Sequence, residues 1–247
     1  MRRARPGWVG VLAGLVLLGC ETSRERMVRR LGPAAQIASA SIDNLGWSRD
    51  GKRIDSARFT AIVTTYDEEG RSYTDRQEMV VDFKADTITA VGGTPQGRWK
   101  AVADDDGKFK LKADKAVDEA KVAGRMRPTL ATLLHRLRGP YNLLAGRERA
   151  RTADATRVDG QDVVRVAVGG DNRRAIAYYF DAASGILRFV TAGADRPGGE
   201  GTVTLYQYDS LPNGVAFPNR IRVARIGKHV LVGKESVFEV EISHVSF

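Results

Sequence analysis

The chain has 247 residues and a formal net charge of +9, from 39 Lys and Arg against 30 Asp and Glu, with one cysteine and three histidines. A lone Cys20 cannot form an intramolecular disulfide, and His135, His229 and His244 have no Cys or carboxylate at metal-ligand spacing. The arginines are scattered, as is usual on solvated faces, and no block of five like charges occurs, so nucleic-acid binding is not supported; an affinity for anionic lipid head groups or an acidic partner is the weaker reading of the excess basicity.

The N-terminus reads as an export signal. Arg2, Arg3 and Arg5 precede an apolar run from Trp8 to Leu18, which is too short for the roughly 20 residues of a spanning helix. The run ends in Leu17-Leu18-Gly19-Cys20, which resembles the lipobox of bacterial lipoproteins. That resemblance implies cleavage after residue 19 and a diacylglyceryl group on Cys20, and two acyl chains are enough for stable anchoring. It also accounts for an odd cysteine in an exported chain. Without residues 1–19 the charge falls to +6, from 36 Lys and Arg against 30 Asp and Glu. Glu21, not Asp, follows the lipidated position, which leans toward the outer membrane, on its periplasmic side, over the inner membrane.

Residues 20–53 carry mixed charge and Gly32-Pro33 and read as a lipidated tether with at most one helical turn. From Ile54 the apolar residues alternate with period two, as in strands that bury one face. Phe59, Ala61 and Val63 alternate with Arg58, Thr60 and Thr64, and Met79, Val81 and Phe83 with Glu78, Asp82 and Lys84. Turn signals recur at Asp67–Gly70, Asp104–Gly107, Asp159-Gly160, Ala183–Gly185 and Asn213-Gly214, as in an antiparallel meander. The rhythm breaks between 113 and 138. Apolar residues at 113, 116, 117, 120 and 123 predict one helix. A second is predicted over 127–138: Pro128 in its first turn, Leu130, Leu133, Leu134 and Leu137 in one stripe, Arg136 and Arg138 at the C-terminal dipole, and a stop at Gly139-Pro140. Strands then resume at about 148–158, 161–169, 174–181, 186–192, 201–208, 215–227 and 230–245. The predicted class is α+β, mostly β: one curved antiparallel sheet forming an unclosed half-barrel, covered by short helices. The predicted organisation is a signal at 1–19, a tether at 20–53 and one domain at 54–247.

Several segments, in this order around a central helical pair, resemble the LolA/LolB superfamily of bacterial lipoprotein carriers. They are Leu137-Arg138-Gly139-Pro140-Tyr141-Asn142-Leu143-Leu144, Asp159–Val166, Tyr179–Leu187 with its D-x-x-[ST]-G-L-L type of turn, and Tyr206-Gln207-Tyr208 followed by Asn213–Ile221. Mycobacterial lipid-binding lipoproteins and the sigma-factor regulator RseB share that scaffold. The resemblance implies a helical lid over an apolar cavity that receives acyl chains, each buried methylene contributing about 0.8 kcal/mol. Lining and lid candidates are Phe59, Val63, Met79, Val81 and Phe83 on strands and Leu130, Leu133, Leu134 and Leu137 on the helix, and each of them can equally be plain core. LolA is a soluble shuttle, so Cys20 favours a LolB-like acceptor, an anchored lipid carrier or a sensor.

Enzymatic chemistry is not expected. There is no Gly-x-Ser-x-Gly elbow, and Gly227–Glu235 departs from a phosphate loop in spacing and in the residue after Lys234. Gly198–Gly201 reads as a hairpin tip and Asp104–Asp106 as a solvated turn. No metal or cofactor is expected. The expected function is that of an envelope lipoprotein, held on the membrane through Cys20, which binds a lipid or an acylated protein for transport or insertion. The alternative is an RseB-like sensor or scaffold that uses the same fold to bind an envelope protein partner.

Overall fold

The computed structural model describes residues 34–49, 52–144, 150–168, 176–193, 201–227, 229–233 and 235–247. The predicted signal, Cys20, Glu21, the tether up to residue 33 and Gly198 to Glu200 lie outside the described residues. Helix α1 (Ala34–Asn44) leads into a two-stranded hairpin, β1 (Ser48–Arg49) and β2 (Lys52–Arg53). Five strands follow: β3 (Ser56–Tyr66), β4 (Ser72–Asp82), β5 (Thr87–Thr94), β6 (Gly97–Asp104) and β7 (Phe109–Ala113). Helices α2 (Glu119–Leu137) and α3 (Gly139–Leu144) come next. Seven strands complete the chain: β8 (Ala150–Val158), β9 (Gln161–Val168), β10 (Ile176–Asp181), β11 (Leu187–Gly193), β12 (Gly201–Ser210), β13 (Ala216–Arg225) and β14 (Ser236–Ser246).

Strands β3 to β14 form one twelve-stranded antiparallel sheet in the order β7-β6-β5-β4-β3-β14-β13-β12-β11-β10-β9-β8. Each half is a meander of neighbouring hairpins, and the last strand pairs with the first in the middle, Val240 opposite Val63. Eleven spacings of about 4.8 Å make such a sheet about 50 Å wide, so burying one face requires it to curl. It does not close, and β7 and β8 are its free edges. These are the two strands that α2 and α3 connect. The helices therefore lie on the only segment of chain that passes from one free edge to the other, which is why they cover the opening. Hairpin chemistry holds the register: Asp159 and Gly160 both have positive φ (45° and 86°) between Val158 and its partner Gln161, as a two-residue type I′ turn demands.

Alternation gives the sheet its inner face. Along β3, Ala57, Phe59, Ala61 and Val63 are buried, and the pattern continues in Met79, Val81, Ile88, Ala90, Trp99 and Ala101. In the C-terminal half both faces are covered. Tyr178 and Phe180 point into the main core, while Ala177 and Tyr179 join a second cluster with Phe189, Val203 and Val230 on the other face. Residues 229–233 lie over that second cluster. Leu231 N donates to Asp159 Oδ2 at 2.8 Å and Arg222 Nη1 donates to Val232 O at 3.0 Å. The strand predicted from residue 230 accordingly starts only at Ser236.

Two other expectations are corrected. The folded unit starts no later than Ala34, because Ile37, Ile42 and Leu45 of α1 and its exit, together with Trp47, are core residues, so the domain does not begin at residue 54. The two predicted helices are one 19-residue helix beginning at Glu119, after an Asp118 cap that accepts from Lys121 N, with Pro128 in its interior. Its stripe is Val122, Met126, Leu130, Leu133 and Leu137, all buried; Ala113, taken as the start of a helix, ends β7. Pro128 lies on the exposed side, where the Gly124 carbonyl that loses its partner can be solvated. Gly139-Pro140 does not stop the helical chain but opens α3.

Candidate functional site: the helix-covered concave face

The structure brings all nine predicted lining residues together. Phe59, Val63, Met79 and Val81 on β3 and β4, and Phe83 just beyond β4, join Leu130, Leu133, Leu134 and Leu137 of α2 in one buried cluster. The four leucines are 0–1 % exposed, so the cover is shut. Sequence reading missed much of the rest of this interior. Trp99, Met126, Tyr178, Phe180, Tyr206 and Phe217 are also buried; period-two alternation was an available signal for Trp99 in β6, whereas β10 is buried on both faces and shows none.

Trp47 is the hub of one end of the interior. Its ring lies 5.8 Å from those of Phe83, Tyr141 and Phe217, and its Nε1 donates to Ala216 O at 2.7 Å. This aromatic group joins the chain before β1, α3 and β13, so α1 and α3 are fixed to the sheet here. Close approach is also needed at Gly139, where a Cβ would come within 2.8 Å of Tyr178 Cε1.

Polar contacts tie the cover to the sheet rim. The Arg138 guanidinium, 3 % exposed, lies 2.7 Å from Asp86 Oδ1 in the β4–β5 turn and 3.1 Å from Asp105 Oδ2 in the β6–β7 turn. Arg138 is therefore an anchor, more than a partner for the helix dipole. The Asp104–Asp106 run is used up structurally: Asp104 Oδ1 accepts from Lys108 N at 2.8 Å, and Asp106 pairs with Lys108 at 3.2 Å. Nearer the start of α2, Arg125 lies 3.6 Å from Asp75 Oδ2 and over the Tyr73 ring, and Lys121 shares that ring. On the other half of the sheet, Tyr206 Oη donates to Arg136 O at 3.1 Å. Burial pushes the Tyr206 phenol far above its ordinary value of 10.0, with Arg136 opposing the shift, so it remains a donor.

Between the first turns of α2 and strands β4 and β5 is a depression of about 390 Å³, lined by Tyr73, Asp75, Thr94, Gln96, Lys121 and Arg125 among others. Behind it Gln77, 1 % exposed, donates from Nε2 to Met126 Sδ at 3.3 Å and leaves its Oε1 without a partner. The volume is in the range of small-molecule sites, and the lining passes from charged at the surface to apolar at Val117 and Val122. The depression lies where the cover meets the sheet. Among the described residues there is no group of three or more His, Cys, Asp or Glu able to hold a metal, and no helix long and apolar enough to cross a membrane.

No protein-family model matches the sequence, and no curated protein matches it. Solved structures do match. A LolA superfamily protein from Nitrosomonas europaea aligns over 87 % of this chain and 94 % of its own, at 10 % identity and a TM-score of 0.53. A putative outer membrane lipoprotein-sorting protein domain from Vibrio parahaemolyticus aligns over 87 % and 93 %, at 11 % identity and a TM-score of 0.50. At such identities the likeness is one of fold. An unclosed antiparallel sheet with a helical cover between its two free edges is thus the fold this chain shares with the LolA superfamily.

Proposed function

We propose that the chain binds acyl chains, of a lipid or of an acylated protein, between α2 and the concave face of the sheet, and does so at the bacterial cell envelope while anchored through a diacylglyceryl group on Cys20. The observation that carries this reading is the cover itself. An apolar stripe of leucines lies over the apolar face of a sheet that does not close, on a segment tied to the rim by a few side-chain contacts. Parting the cover from the sheet would expose apolar surface on both sides, and an acyl chain entering there recovers about 0.8 kcal/mol per methylene. The lipoprotein-sorting domain that shares the fold is consistent with a role in moving or inserting lipidated cargo, and the leader with an outer-membrane, periplasm-facing position.

The experiment is mass spectrometry of lipids that copurify with the Cys20→Ser chain, together with uptake of a fluorescent fatty acid. A copurifying acyl lipid and saturable uptake are the expected results; absence of both would refute acyl binding. A second reading, an envelope sensor or scaffold that binds a protein partner, is favoured by the tightness of the interior, where the cover leucines are already 0–1 % exposed. No catalytic role is proposed.

A further inference from the structure

Three arginines of the cover segment are turned inward, and two of them are neutralised. Arg125 has Asp75, and Arg138 has Asp86 and Asp105. Arg136 is different. It is 7 % exposed, and among the described residues no carboxylate lies within ion-pairing distance of its guanidinium. Its one side-chain hydrogen bond runs from Nη1 to His135 Nδ1 at 3.3 Å, and its Nε has no partner. A guanidinium removed from water without an opposing charge is costly, and cores rarely retain one.

The Arg136 carbonyl is fixed to β12 by Tyr206 Oη, at the buried edge of the main core. The Tyr206 bond places Arg136 toward the C-terminal half of the sheet, whereas the α2 backbone makes its closest approaches to β5, β6 and β7. At the same end of the cover, Asn142 is 2 % exposed, its Nδ2 reaches His135 O only at 3.5 Å, and its Oδ1 has no partner. Leu133, three residues before Arg136 on the helix, belongs to the main core.

We propose that Arg136 seats the oxyanion head, carboxylate or phosphate, of an acyl ligand whose chain lies along Leu133 into the core. The guanidinium supplies the charge and a fork of donors, which match either head group. This assignment rests on the acyl-binding reading above and adds to it a requirement for an anionic head.

The test is displacement of a fluorescent fatty acid from the Cys20→Ser chain by palmitate, hexadecyl phosphate and hexadecanol, repeated with Arg136→Met. Charged hydrogen bonds of this kind favour the anionic ligands by about tenfold or more over hexadecanol. In Arg136→Met that preference is expected to vanish while hexadecanol binding is kept. Whichever anion binds more tightly identifies the head, palmitate a free fatty acid and hexadecyl phosphate a phospholipid. The ligand-free variant should have a Tm at or above that of the parent, because an unneutralised buried cation has been replaced by an apolar chain of similar length. Equal affinity for palmitate and hexadecanol overturns the proposal and leaves acyl binding standing, as does an unchanged preference in Arg136→Met. A Tm well below the parent's also overturns it, by showing that Arg136 is structural. If none of the three ligands binds, the acyl-binding reading falls with it.

Discussion

Gly92 on β5 is directly opposite Trp99 on β6, and the indole lies over it so closely that a Cβ at residue 92 would overlap the ring, 2.7 Å from its Cε2. The large fused ring has little room to move, because Trp99 is 2 % exposed within the core. Gly92→Ala is therefore expected to destabilise the fold by about 1–3 kcal/mol, the usual range for overpacking, and a lowered urea midpoint with unchanged slope would show it. A second residue-scale effect concerns acid. Burial raises the Glu239 carboxyl, but hydrogen bonds from Arg220 and Ser236 outweigh that and hold it below its ordinary value of 4.5. A carboxyl whose pKa is lower folded than unfolded adds stability above pH 4.5, and the contribution is lost as pH falls through the folded value. Glu239→Gln should lower Tm at neutral pH and flatten its decline below pH 4.5; parallel Tm–pH curves for parent and variant would contradict the assignment.

At the scale of elements, Pro128 sets the properties of the cover. It lies on the exposed side of a 19-residue helix, where its ring displaces the bond that residue 128 would give to the Gly124 carbonyl. Pro128→Ala restores that donor on a solvated face and is expected to raise stability by about 1–2 kcal/mol, less than the full helix-interior penalty because the freed carbonyl is already hydrated. Thermal unfolding measures the gain; a loss would mean that the proline itself is needed for the cover to fit. Pro128 also explains what the sequence left unreadable here. A proline before a leucine stripe is the usual sign of a helix start, and that sign outweighs the spacing of Val122 and Met126, which continues the same stripe back past it. The strands were easier to read, because alternation such as Phe59, Ala61, Val63 needs no knowledge of partners. Helix α1 was missed for the opposite reason: its Ala- and Ser-rich stretch has only Ile37 and Ile42 as large apolar residues, and its burial comes from contacts with α3 that the local sequence does not reveal. The lining leucines were legible from their spacing. Arg136 was read as a dipole partner, since whether a buried cation finds a carboxylate depends on distant strands.

For the whole molecule, the connectivity predicts an order of strength. The two meanders are joined by β3 and β14, which are central, paired on both sides, and carry the inner-face residues Phe59, Val63 and Val240. The cover segment follows the edge strand β7 and precedes the edge strand β8, and it meets the rim through side chains such as Arg125 and Arg138. Opening it would detach one helical segment and leave the sheet intact, whereas separating β3 from β14 would divide the sheet. Native-state hydrogen exchange distinguishes the two processes, because each cooperative unit exchanges at its own free energy of opening. Amides of α2 and α3 are expected to exchange through a sub-global opening several-fold to many-fold faster than those of β3 and β14, and bound palmitate should slow α2 and α3 selectively. If α2 exchanges only with global unfolding, and denaturant brings its rates together with those of β3, the helix is a fixed part of the core and the interior is closed to ligands.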